Sequence, residues 1–576
     1  MSDLNFSKET ISNIFTKLKG KNFLIPDYQR PYSWKLEHCE TLWDDLKNFA
    51  IPDFSEREFN KDKDEYFLGT IVTFDNGCEQ NEVIDGQQRL ITLILLLRAF
   101  YSALNDGKKK IKDKIAECIW YMDEDDNPDK SRLKIESEVA TDEHTAELKR
   151  IIMEGQTAKG DTSLYAQNYR FFQKKIDEFK IEDPDNFSYL PTRLLNNCIV
   201  MPIETSDFST ALRIFTTLND RGMPLSDSDI FKSQFYKFFK SQGKDAKEKF
   251  VRSWKNLEAV CNKIFHPRTG TSTDDLFMKY TYYLRANEGT KSDTFQALRL
   301  YYEKDNYKIL KSAQTFNDLI NLLKFWYDIF RRNEEKFSER ILKRLYVLKY
   351  SPYSIWENIV SMYFMGNRDS QNNLDEEKFY NFLNQITALV LMQAITQPGV
   401  QSIRRPFFVE FQNILHGERL KFKDCKTNEK ILRTQFSNMK FSQTKTITRA
   451  MLVWWLFQNE NQALPPLDTY LEIEHIYAKK RAEFEPLENA GSLELLGNKI
   501  LLEKRINIRA ADYRFADKKK YYCGETNKKN ELPTFNLELL KLAETKNDFE
   551  ESDILERNEQ IFNGFVNYLQ QNDLLK

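Results

Sequence analysis

The hydrophobic period of the chain changes between residues 66 and 101. Tyr66 to Phe74 is rich in β-branched and aromatic residues and is followed by Asp75, Asn76 and Gly77, which predicts a strand ending in a turn. Glu82-Val83-Ile84 predicts the return strand and the apolar run from Leu90 to Tyr101 a buried helix, so a hairpin feeds a helix through Asp85-Gly86. A further strand is expected at Cys198 to Ile203 and a helix at Ser209 to Leu218. From about 236 to 440 the pattern becomes long amphipathic helices. Their aromatic stripes, as in Phe231 to Phe239 and Leu319 to Phe330, recur at i, i+3, i+4, which assigns them to helix packing rather than to base stacking. An apolar helix from Ile447 to Phe457 then breaks at Pro465-Pro466. Past the break, Thr469 to Tyr477 and Asn498 to Leu502 predict two strands and Asn507 to Tyr521 a basic helix, a ββα order.

A length of 576 residues, at about 150 per domain, predicts several units, placed at 1–235, 236–440 and 441–576. Only 18 Gly and 16 Pro leave few turns, so the fold is expected to be mainly α with α+β parts. With 85 Lys and Arg against 87 Asp and Glu, the net charge of -2 excludes a polybasic binder, and any nucleic-acid contact must come from a local patch. The 7 cysteines are scattered, odd in number and without a C-x-x-C pair, so neither a disulfide framework nor a zinc site is expected. The N-terminus lacks a basic and then apolar leader, and the most apolar run, Leu90 to Leu97, is too short to span a bilayer. A cytoplasmic protein without a membrane partner is expected. The acidic stretch Asp123 to Asp129 contains a proline and is read as a solvated loop.

Three N-terminal clusters carry candidate chemistry. Ile25 to Trp34 reads IPDYQRPYSW, a rigid extended loop holding Gln29 and Arg30. Ile84 to Leu90 reads IDGQQRL, an acid-Gly turn between a strand and a helix, where free backbone N–H groups and the helix dipole can hold an anion. There Arg89 can clamp a phosphate and Asp85 can hold a metal or a sugar hydroxyl; an ordinary helix cap is the alternative. Phe215 to Leu225 reads FTTLNDRGMPL, with Asp227 or Asp229 capping the next helix. Together, QRPYSW, DGQQR and F-x-x-L-N-x-R-G resemble the N-terminal domain of GmrSD-type modification-dependent (type IV) restriction endonucleases, a relative of the ParB and sulfiredoxin fold. The resemblance covers roughly residues 10 to 235. It implies binding and hydrolysis of a nucleoside triphosphate, with Gln29, Arg30, Asp85, Gly86, Gln87, Gln88, Arg89, Asn219 and Arg221 as nucleotide-binding candidates. The P-loop pattern is absent.

Of the 5 histidines only His475 has a recognisable chemical neighbourhood. In Leu471 to Tyr477, LEIEHIY, strand alternation puts Ile473 and His475 on one face and Glu474 on the other. Gly497-Asn498 and Asn507 follow. Cutting a phosphodiester requires a deprotonated water and a cation at the phosphate; a His supplies the first, and a carboxylate with an amide oxygen can hold magnesium for the second. The pattern is similar to the HNH, or ββα-metal, nucleases and to the C-terminal domain of the same GmrSD family. That similarity implies His475 as general base, Glu474 and Asn507 as metal ligands, Asn498 as a loop brace and Lys518 as a phosphate contact. Ala478 and Lys499 stand where the pattern has Pro and Leu.

Residues 499 to 520 carry eight Lys or Arg against three acids, the footprint of a phosphate-binding helix. The expected protein is a magnesium-dependent, nucleotide-regulated endonuclease of anti-phage defence. Its substrate is foreign, modified double-stranded DNA, and the sequence leaves a homo-oligomer open. The alternatives are a ParB-like nucleotide-switched DNA-binding module with an inactive HNH remnant, and an RNA-directed toxin, which the lack of an RNA-recognition signature disfavours.

Overall fold

Most of the strand-forming runs in the N-terminal part of the chain assemble into one mixed sheet. The computed structural model describes residues 8–16, 22–26, 29–52, 59–75, 80–139, 144–205, 210, 226–267, 269–290, 296–511, 513–525 and 532–576. They form two compact units, residues 1–256 and 257–576. The fold is mainly α with α+β parts.

In the first unit the described strands are β1 (Glu9–Thr10), β2 (Asn22–Ile25), β3 (Tyr66–Asp75), β4 (Gln80–Asp85), β5 (Trp120–Met122), β6 (Pro128–Leu133), β7 (Ile135–Ser137) and β8 (Cys198–Thr205). Six of them join in the order β1-β8-β3-β4-β2-β7, while β5 and β6 pair separately. β3 lies antiparallel to β4 and parallel to β8, and β2 runs parallel to both β4 and β7. The chain leaves β4 through Gly86, whose φ of 90° suits a residue without a Cβ, and enters the helix Gln87–Ala103. Every residue of that helix from Leu90 to Phe100 is buried. Each large apolar side chain contributes about 1.5–3 kcal/mol on burial, which fixes the turn before it against the sheet.

The acidic loop is the β5–β6 turn, where Asp123 Oδ1 accepts from the amides of Asp125 and Asn127. The cap of the helix Asp227–Ser241 falls on Ser226, with Asp229 completing a capping box, one residue before the expected position. Phe231 and Phe235 of that helix are buried, and Phe235 packs on Phe250 and Trp254. The expected helix at Ser209 to Leu218 and the Asn76-Gly77 turn lie outside the described residues, Thr210 excepted.

The second unit is helical up to its last third. The aromatic stripe of Ala313–Phe330 is core: Phe325 stacks on Phe364, and Trp326 donates its indole N–H to Ser361. Near its end, β9 (Leu471–His475) and β10 (Lys499–Glu503) pair antiparallel, with His475 opposite Lys499 and Glu474 opposite Ile500. The single basic helix expected at Asn507 to Tyr521 is instead two, Lys504–Ala510 and Phe515–Tyr522. The break is Ala511, held at φ 44°, and no glycine or proline marks it in the sequence. Ile506, Phe515 and Tyr522 share a core with Ile500 and Leu502, so both helices cover one face of the β9–β10 pair.

Candidate functional site

Alternation along β9 separates its polar residues into two groups. Glu472 and Glu474 point to the face covered by the two short helices. There Asn507 donates from Nδ2 to Glu472 Oε2 at 2.8 Å, and Lys518 Nζ donates to Glu474 Oε1 and to the His475 carbonyl. Tyr522 adds its hydroxyl to the same Glu474 oxygen at 3.3 Å. Burial pushes the Glu474 carboxyl above its usual range, and the Lys518 ammonium works against that rise. Glu474 and Asn507 thus share a face of the strand, but Asn507 engages Glu472, a residue the motif did not single out. Lys518 is buried in its ion pair, so the expected phosphate contact is turned inward.

His475 faces the other way and is 5% exposed. Gln443 Nε2 lies 3.2 Å from its Nδ1 and also donates to the Ile473 carbonyl at 2.8 Å. Lys499 Nζ lies 3.2 Å from its Nε2 and 2.6 Å from Glu494, which Lys479 approaches in turn. Burial first, then Lys499 and Lys479, push the imidazole well below its ordinary value, so it is neutral near pH 7. Burial likewise lowers Lys499. Asn498 is fully buried: its Oδ1 accepts from Tyr477 N at 2.7 Å, and its Nδ2 donates to the carbonyls of Tyr477 and Leu493. It ties the chain just after His475 to the turn before β10.

In the first unit the QRPYSW loop and the DGQQR turn are bound together by amides. Gln29 donates to the carbonyls of Val83 and Ile84, Gln87 donates to Gln29 Oε1, and Gln88 takes the Ser33 amide at 2.7 Å while donating to the Pro31 carbonyl. Arg89 donates to the Thr70 carbonyl at 2.7 Å, and a Cβ on Gly69 would stand 2.9 Å from its guanidinium, so Gly69 makes room for it. Burial lowers Arg89 and Asp85 partly opposes this. Gln87 Oε1 and Arg30 Nε are buried with no hydrogen-bond partner among the described residues. Asn219 and Arg221 lie outside the described residues.

The model of the GmrSD restriction endonuclease N-terminal domain matches residues 11–236, and that of the GmrSD restriction endonucleases C-terminal domain matches residues 426–563. The chain belongs to the GmrSD restriction endonuclease family. No curated protein matches it. Membership makes this GmrSD chain a DNA endonuclease of phage defence, and among the described residues no helix is long and apolar enough to cross a membrane.

Within the GmrSD C-terminal match, the structure adds Glu472, Gln443 and Glu494 to the residues read from the motifs. Glu472 was accessible to sequence reasoning, two positions before Glu474 on the same strand face; Gln443 and Glu494 carry no motif. The positive footprint is smaller than its sequence count, because Lys499 and Lys518 are buried in ion pairs while Lys504, Arg505 and Lys520 remain exposed. Among the described residues no group of three or more His, Cys, Asp and Glu side chains converges. The donors on the Glu474 face are instead two carboxylates and an amide, oxygen ligands of the type a hard divalent cation takes, and the Lys518 ammonium already places a cation on Glu474.

Proposed function

We propose that this chain cuts double-stranded, modified DNA by an HNH-type, magnesium-dependent hydrolysis that a nucleoside triphosphate regulates. The observation that carries the nuclease reading is that Glu474 and His475 are consecutive at the end of β9, on its two opposite faces, in a ββα unit whose helix brings Asn507 onto the Glu474 face. Glu474 and Asn507, with Glu472 beside them, are the residues to hold magnesium. When bound, that ion supplies positive charge to the scissile phosphate and the leaving oxygen.

His475, neutral and fixed by its neighbours, takes the proton of the attacking water. Because Lys499 and its partner Glu494 both lie against Nε2, this ion pair must first turn aside, and an incoming phosphate gives the Lys499 ammonium a new partner. Asn498 keeps Tyr477, and so the strand end, in place. Lys504, Arg505 and Lys520 are exposed to meet the DNA backbone, as is Arg514 beside Glu485.

For the nucleotide, the Gln87–Ala103 helix start offers backbone N–H groups beside Gly86, while Gln87 Oε1 and Arg30 Nε offer an acceptor and a donor that the fold leaves open. Gln29 and Gln88 hold the QRPYSW loop to the turn and Arg89 holds β3 at Thr70, which leaves the Asp85-Gly86 turn itself to meet the nucleotide.

The covered Nε2 of His475 favours a second reading, in which the chain is a nucleotide-switched DNA-binding module with an inactive nuclease remnant. Matched modified and unmodified duplexes, incubated with magnesium and each nucleoside triphosphate, separate the two. Nucleotide-responsive cleavage of the modified duplex supports the proposal. Retention of DNA without a single nick under every condition supports the second reading.

A further inference from the structure

The turn that carries Asn498 is held from behind by a residue far along the chain. Arg557, buried on the helix Glu551–Gln571, donates from Nη1 to the carbonyls of Leu496, Gly497 and Lys499 at 3.0, 3.0 and 2.8 Å. Its Nε and Nη2 meet the two oxygens of Glu538 at 2.8 and 2.9 Å, and Trp455 donates its indole N–H to the same carboxylate. The fork is therefore locked on one side by a bidentate ion pair and aims its remaining nitrogen at the turn.

The same helix receives Gly497. Asn558 Oδ1 accepts the Gly497 amide at 3.2 Å, and a Cβ on Gly497 would stand 2.0 Å from the Ile554 carbonyl oxygen. Asn498 is thus bracketed by clamped carbonyls, and from that position it takes Tyr477 by both backbone groups while its own carbonyl accepts from Ile476 N at 2.9 Å. Residues 476 and 477 directly follow His475. Lys499, whose carbonyl Arg557 also holds, meets His475 Nε2 at 3.2 Å, beside Glu494 Oε1 at 3.5 Å.

We propose that Arg557 is a positioning residue of the nuclease site: by clamping the 496–499 turn it fixes Asn498 on Tyr477 and thereby sets where His475 points. The catalytic half of this statement rests on the reading of His475 as the base. A lysine at 557 would keep the charge opposite Glu538 but could not reach three carbonyls while holding both carboxylate oxygens.

Full-length Arg557→Met and Arg557→Lys are compared with the parent and with His475→Ala by hydrogen exchange and by magnesium-dependent plasmid nicking. In Arg557→Met, exchange at Ile476 and Tyr477 is expected to rise at least about tenfold, with the 313–396 helices exchanging as in the parent. The kcat of nicking should fall about a hundredfold, as a small misplacement of a reacting group costs, while KM for DNA stays within about threefold. Arg557→Lys should lie between, and it decides by the same readouts if Arg557→Met does not fold. Unchanged exchange at Ile476 and Tyr477, or a raised KM with parental kcat, overturns the proposal. Parental nicking by His475→Ala removes His475 as the base, and exchange at 476 and 477 then judges the clamp alone.

Discussion

At the start of the Gln87–Ala103 helix the buried polar side chains are mostly neutral amides, whereas around β9 they include Glu474, Lys499 and Lys518, charges each held by a partner. Gln29, Gln87 and Gln88 bond to one another and to backbone, and Gln87 Oε1 stays open. Glu474 is held by Lys518, and Lys499 by Glu494. An open neutral atom costs about 1–3 kcal/mol, which a fold can carry, whereas an unpaired buried charge costs several kcal/mol and is not kept. The amide junction can therefore receive a ligand without dismantling anything. The β9 region must exchange partners before it can work on a phosphate, so under the function proposed above the nucleotide is received at the first region and the exchange of ion-pair partners falls to the second.

Charge removal should separate the two regions most. Glu474→Gln leaves Lys518 buried without a counter-charge and should destabilise the fold by about 3–5 kcal/mol in urea unfolding. A loss below about 1 kcal/mol would mean that the pair is solvated and the contrast false. Asn507→Ala removes an amide oxygen and no charge. It should leave unfolding nearly parental and raise the magnesium needed for half-maximal cleavage about ten- to a hundredfold; an unaltered titration would show that this face does not hold the cation. Gly497→Ala forces a methyl group onto the Ile554 carbonyl and should cost about 1–3 kcal/mol. A parental melting temperature would show that the turn can lift away from the helix. Gln87→Leu sharpens the other side: nucleotide affinity should weaken about tenfold in a binding titration, the worth of one hydrogen bond to an otherwise open acceptor. Parental affinity would leave that acceptor without a role in binding.

How much of this was legible in the sequence depends on how local each feature is. The ββα order was readable because E-H-I and G-N lie in alternating apolar runs, and the strand-turn-helix at DGQQR because Leu90 to Leu97 marks the helix. The break at Ala511 was not, since a positive φ on alanine leaves no compositional trace. Counting Lys499 and Lys518 as surface charge failed for a related reason: Glu494 and Glu474 draw their ammonium groups inside, and composition does not record partners. The motif glutamines were visible as a cluster, but not that they bond one another across more than fifty residues. Arg557 and Glu538 act on the motif from positions with no pattern of their own.

In the function proposed above, His475 cuts while a separate region reads the nucleotide, and His475→Ala separates these two roles. Nicking of plasmid DNA and turnover of nucleotide are measured on the same preparation, with magnesium and with chelator. Nicking by the parent should be lost with chelator, and His475→Ala should lose it in magnesium by about a hundredfold or more while nucleotide turnover remains parental. Parental nicking by His475→Ala would contradict the role of His475.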